Sequence, residues 1–101
     1  MSARHGISKI YPNSTSKQIF EAARSTYKKM EMEIYKERPI AFLCQARLEN
    51  EDGLILANII ASAFGEPEMK LTVKSYDASE EKVIALADKI ASTMDEILST
   101  S

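Results

Sequence analysis

A chain of 101 residues, 45% apolar and 28% charged, is one domain's worth of sequence and too apolar for a disordered segment. Its formal net charge is −2, no apolar run reaches the roughly 18 residues that a membrane helix needs, and the single cysteine, Cys44, excludes an intrachain disulfide. The start Met1-Ser2-Ala3-Arg4-His5 lacks the apolar core of a signal peptide, so a cytoplasmic protein without membrane attachment is expected.

The charge is unevenly spread. Residues 1–47 hold nine Lys or Arg against four Asp or Glu, and residues 48–101 hold four against eleven. Such a dipole can orient a partner or turn a basic side to a polyanion. The plainer reading is that these charges solvate the outer faces of helices, where surface pairs contribute little.

The single domain, 1–101, opens on a lead-in, residues 1–13, in which Ile7, Ile10 and Tyr11 suit a short edge strand ended by Pro12-Asn13. Thr15-Ser16-Lys17-Gln18 has the form of a capping box. Phe20, Ala23, Tyr27, Met30 and Ile34 then recur at helical spacing. This predicts a helix running to about Lys36, stopped by Arg38-Pro39, because the residue before a proline is pushed out of the helical region.

From Ile40 to Leu48 the pattern has period two. Ile40, Phe42, Cys44, Ala46 and Leu48 share one face, and Ala41, Leu43, Gln45 and Arg47 the other, which reads as a strand. Asn50-Glu51-Asp52-Gly53 follows as a turn closed by a glycine at positive φ. Residues 54–64 are expected to pair back as a second strand, with Ile55, Ala57, Ile59 and Ala61 as its apolar face. The alternative is a helix capped by Asn50 and closed by Gly65 and Pro67, which would give a βαβ unit and a mixed sheet. Met69 to Tyr76 alternates as a third strand.

Asp77-Ala78-Ser79-Glu80 opens a last helix with acids in its first turn, where the helix dipole favours them. Val83, Ala87, Ile90, Met94 and Ile97 form its stripe, and it is expected to reach about Leu98 before residues 99–101 fray. The expected fold class is therefore α+β: a two-layer sandwich, helix–strand–strand–strand–helix, with two helices on one face of an antiparallel sheet. Double-stranded-RNA-binding domains share that order, a similarity of topology alone. Those domains read phosphates from a basic loop and helix start, whereas the last helix here opens Ser79-Glu80-Glu81, with the wrong sign.

The inventory for catalysis is poor, and no enzyme is expected. The one histidine, His5, falls in the lead-in, and Cys44 sits mid-strand between Phe42 and Ala46, where a thiol behaves as a small hydrophobe. A carboxylate mechanism on Glu49 or Asp52 lacks any neighbour that would shift a pKa. Zinc needs three or four good ligands. Glu49, Glu51 and Asp52 read as a solvated turn rather than a calcium loop. Gly6, Gly53 and Gly65 are isolated and build no phosphate cradle. Asn13-Ser14-Thr15 matches a glycosylation sequon but reads better as the helix cap. No catalytic residue, cofactor or metal site is expected.

The last helix carries a second apolar line, Ile84, Ala91 and Leu98. Together with the apolar strand 54–61 it exceeds what one small core needs, so these three residues are the expected interface. The expected function is a small non-enzymatic binding or assembly domain, acting as a homodimer or as a subunit of a larger complex. The alternative is a nucleic-acid-binding accessory protein that uses Lys28, Arg47, Lys70 and Lys74 on a basic face of the sheet and first helix. The overall acidity weighs against it.

Overall fold

The computed structural model describes residues 2–51, 53–62 and 64–99. In chain order the elements are β1 (Ala3–Ile10), α1 (Ser16–Lys29), β2 (Glu33–Arg38), a short 3-10 turn (Pro39–Ala41), β3 (Leu43–Asn50), β4 (Gly53–Ala61), β5 (Glu68–Ser75) and α2 (Glu80–Ser99). The five strands form one antiparallel sheet in the order β1-β5-β4-β3-β2. With the two helices this is an α+β fold. The lead-in, expected as a short edge strand, is a full eight-residue strand at one edge of the sheet, and one strand is added to the expected order: residues expected at the end of the first helix are β2 instead.

The reason lies at the C-terminus of α1. The helix starts as its sequence predicts, with Gln18 N donating to Thr15 Oγ1 at 3.1 Å and Thr15 N donating to Gln18 Oε1 at 2.8 Å. It stops a full turn and more before Lys36. Glu31 N donates to Lys28 O at 3.1 Å and Met32 N to Tyr27 O at 2.9 Å, which is the Schellman closure. That closure needs a left-handed residue, and Glu31 takes it at φ 58°. Glycine or asparagine usually fills such a position, so a glutamate hides the helix end from a reading of the sequence. Ile34, the last residue of the expected stripe, faces its partner Ala46 in the sheet instead.

β3 and β4 are joined through Gly53, at φ 108°. The turn's Asp52, the Ala63 of the 54–64 segment and the tail residues Thr100 and Ser101 lie outside the described residues. The helical alternative for 54–64 is not adopted: β4 pairs residue by residue with β3 on one side and β5 on the other.

On one face of the sheet, Cys44, Ala46, Ile55, Ala57, Ile59, Ala61, Met69, Leu71 and Val73 are buried. Ile19, Phe20, Ala23 and Tyr27 of α1 and Val83, Ala87, Ile90 and Met94 of α2 join them in a single core. Alternation along each strand puts the intervening residues on the other face. Where β5 leaves the sheet, the buried Ser75 hydroxyl donates to Leu54 O at 2.8 Å and accepts from Ala78 N at 3.0 Å and Asp77 N at 3.2 Å. It thereby fixes where the chain turns toward α2. Among the described residues no helix is long and apolar enough to cross a membrane.

Candidate functional site on the open face of the sheet

Strand register sorts the residues of the second face into cross-strand rows. One row runs Arg4, Lys74, Leu56, Arg47, Glu33 from β1 to β2, and the next runs Gly6, Thr72, Asn58, Gln45, Lys36. The third runs Ser8, Lys70, Ile60, Leu43, Arg38. A register shift between Ile34 and Lys36 leaves Tyr35 as the bulged residue of β2, and a bulge re-aims its side chain. Tyr35 is 45% exposed. It lines a groove of about 340 Å3 with Arg4, Gln45, Leu56, Asn58, Thr72 and Lys74.

Charge on this face is only partly compensated. Arg47 holds Glu33 through two hydrogen bonds, Nε to Oε2 at 3.0 Å and Nη2 to Oε1 at 3.1 Å, a pairing that raises its pKa further. Lys70 lies 3.8 Å from Glu68. Arg4 and Lys74 stand directly opposite each other, and neither has an acidic partner among the described residues. Like charges opposed across strands destabilise a sheet, so this pair favours an anion.

At the other end the surface turns apolar. Ile40 is 96% exposed in the 3-10 turn and Phe64 is 93% exposed in the β4–β5 connection. Between the segments that carry them, Ala41, Ile60, Ala61, Ser62, Glu68 and Lys70 line a hollow of about 370 Å3. The 3-10 turn is held there because Ala61 N donates to Phe42 O at 3.1 Å.

The residues singled out from sequence are distributed as follows. Arg47, Lys70 and Lys74 share the open face. Lys28 is separated from them, exposed in the last turn of α1, where a cation complements the helix dipole. Of the α2 line, Ala91 is 4% exposed within the core, Leu98 packs partly buried against that core, and Ile84 is half-buried. Leu98 also joins Ile97, Lys17, Gln18, Glu21, Ala22 and Ser25 around a groove between the two helices. His5 lies within β1 opposite Val73.

Elsewhere the titratable groups have structural neighbours. Cys44 is fully buried, and that burial pushes its thiol up to about 11. Tyr27 donates from its hydroxyl to Cys44 O at 3.3 Å, and burial raises its pKa as well. Asp95 on α2 accepts from Lys9 Nζ at 2.6 Å and Tyr11 OH at 2.7 Å. Burial opposes its ionisation, but those two donors outweigh burial and hold the carboxyl below its ordinary range. Among the described residues no three His, Cys, Asp or Glu side chains gather as metal ligands would.

Arg4, Tyr35, Ile40 and Phe64 were not legible as site residues. Arg4 sat in the lead-in, Tyr35 in an expected helix, and Ile40 at the start of an expected strand. The outward positions of β4 and β5, Asn58 and Thr72, were available from alternation once both strands were drawn.

No family model and no curated protein matches the chain. Among solved structures it is similar to the crystal structure of Ara h 8.0201, a Bet v 1-like fold, at a TM-score of 0.63 and 10% identity over 100% of both chains. At that identity the likeness is one of fold alone.

Proposed function

We propose that this chain is a small non-enzymatic binding or assembly domain, working by self-association or as a subunit of a larger complex. In this reading the two helices cover one face of the sheet as a two-layer sandwich and leave the other face to partners. The observation that carries the reading is the apolar end of the sheet, with Ile40 at 96% and Phe64 at 93% exposure in the 3-10 turn and the β4–β5 connection, the segments whose Ala41 and Ser62 line a hollow with Ile60. Burying one such side chain fully is worth about 1.5–3 kcal/mol. A twofold contact buries each of them twice, roughly 6–12 kcal/mol, the order of the 4–15 kcal/mol that association costs. The half-buried Ile84 and Leu98 of α2 offer a second, smaller surface for the same role, to which the buried Ala91 does not add. The free, buried Cys44 supports assigning the protein to the cytoplasm, where thiols stay reduced.

The test is solution mass by sedimentation at low and high salt. A dimer that persists in high salt and is lost in the double variant Ile40→Asp, Phe64→Asp is expected. Loss in Ile84→Asp instead would move the interface to α2, and a monomer at both salts at several hundred micromolar would refute self-association.

A second reading, a nucleic-acid-binding accessory protein, is supported by the register, in which Arg47, Lys70 and Lys74 share one face with Arg4. It predicts retardation of a duplex or a single strand that weakens steeply with salt. Absence of retardation at low salt would refute it.

A further inference from the structure

The groove beside Tyr35 differs from the rest of the open face in what lines it. Its volume of about 340 Å3 is that of a small-molecule site. Its floor is a row of uncharged hydrogen-bonding side chains, Thr72, Asn58 and Gln45, on successive strands. Gln45 Nε2 donates to Asn58 Oδ1 at 3.1 Å. That bond leaves Asn58 Nδ2 as a donor and Gln45 Oε1 as an acceptor side by side, the complement of a nucleobase edge.

The two ends differ in kind. At one end Tyr35 offers an aromatic ring on which a base can stack. At the other, Arg4 and Lys74 oppose each other without an acidic partner among the described residues. Tyr35 and Lys74 stand on strands three spacings apart in the sheet, about 14 Å at roughly 4.8 Å per strand. With both side chains lining the same groove, that length suits a ring, a sugar and a phosphate laid in line.

We propose that this groove binds a nucleotide unit, with the base against Tyr35, its edge on Asn58, Gln45 and Thr72, and the phosphate between Arg4 and Lys74. A free nucleotide and a nucleotide within a single strand present the same chemistry. The site goes beyond self-association, which uses the Ile40–Phe64 end. It also differs from a general polyanion face, on which Lys70 counts as much as Lys74.

The test is amide chemical-shift titration of the full chain with each of the four nucleoside 5′-monophosphates, and with adenosine and inorganic phosphate separately. Shifts centred on Tyr35, Gln45, Asn58, Thr72 and Lys74 are expected with at least one monophosphate, with adenosine and phosphate each at least tenfold weaker. The double variant Arg4→Gln, Lys74→Gln and the single variant Tyr35→Leu should each weaken binding at least fivefold, while Lys70→Gln leaves it unchanged. A ten-nucleotide strand of each base, run in parallel, separates the two sources. Binding of the strand alone, lost in the same variants, assigns the site to single-stranded nucleic acid. If neither probe shifts these residues at millimolar concentration, or if Lys70→Gln weakens binding as much as the double variant Arg4→Gln, Lys74→Gln, the proposal is overturned.

Discussion

Replacing Ser75 with alanine removes one oxygen and three hydrogen bonds. The hydroxyl donates to Leu54 O and accepts from Asp77 N and Ala78 N, at 2.8, 3.2 and 3.0 Å, and the residue is 3% exposed. A neutral hydrogen bond nets about 1 kcal/mol, and a buried group left without a partner costs about 1–3 kcal/mol. Leu54 and Asp77 are exposed enough for water to replace the lost partner, but Ala78 is 6% exposed, so its N–H takes the larger penalty. Ser75→Ala should therefore cost about 2–3 kcal/mol. In a domain of this size that lowers Tm by roughly 10–20 °C, at about 4–8 °C per kcal/mol. Thermal and urea unfolding followed by circular dichroism measure it, with the exposed Ser8→Ala as a control expected within about 0.5 kcal/mol. Hydrogen exchange adds a local readout, because the Ala78 amide should lose protection first. A Tm within 2–3 °C of the control, or an unchanged Ala78 amide, would show that this hydroxyl does not hold the β5–α2 junction.

Four other substitutions or treatments probe the same physics elsewhere. A Cβ at Gly53 would lie 2.3 Å from Asp77 Cβ on backbone at φ 108°, so Gly53→Ala should destabilise by about 2 kcal/mol or more in urea unfolding, the left-handed strain alone being about 1–3 kcal/mol; a neutral result would mean the turn relaxes freely. Thr26 Oγ1 is buried without a partner, so Thr26→Val should be neutral or stabilising by up to about 1 kcal/mol, and a loss of stability would reveal a bond to that hydroxyl. With its thiol fully buried and pushed up to about 11, Cys44 should resist a colorimetric disulfide reagent at pH 8 until urea unfolds the chain; reaction within seconds in buffer would refute this. Asp95 has a folded pKa below its unfolded value of about 3.9, so its contribution is complete above about pH 5 and is lost as pH falls through the folded value. The stability difference between wild type and Asp95→Asn should accordingly shrink from pH 6 to pH 3, and a constant difference would mean the carboxylate's charge is not what Lys9 and Tyr11 hold.

What the sequence made legible follows the strength of each local signal. Thr15 and Gln18 are a reciprocal cap, and both bonds form. The period-two runs around Cys44, Ile59 and Leu71 became three adjacent strands because a one-residue slip would turn each apolar row to the other face. The missing strand, β2, has only Ile34 and Tyr35 among charged neighbours. Charges suit an edge strand, yet they also fit the exposed side of a helix, and the stop between the two rests on Glu31 adopting φ 58°. Nothing in a glutamate announces that, since the tertiary burial of Met32 behind it, at 5% exposure, is what favours the turn.

The open face was harder to read for a different reason: its residues are ordinary one strand at a time and acquire meaning only through register. Arg4 is an unremarked N-terminal cation until β1 lies antiparallel to β5 and sets it opposite Lys74. Gln45 and Asn58 are two polar residues in apolar strands until the β3–β4 ladder makes them neighbours and commits one amide to the other. Of the α2 line, Ala91 leaves the patch for the converse reason. Ile84, Ala91 and Leu98 share a helical line, but α2 rests against β1, β5 and α1 together, and that wider seat takes Ala91 into the core and Leu98 against it. A helix's apolar arc measures how many neighbours it has, and only the strand order says whether they belong to the same chain. Here β1, β5 and α1 supply most of them from within, so the larger exposed apolar side chains are Ile40 and Phe64, where no element of the described chain comes over them.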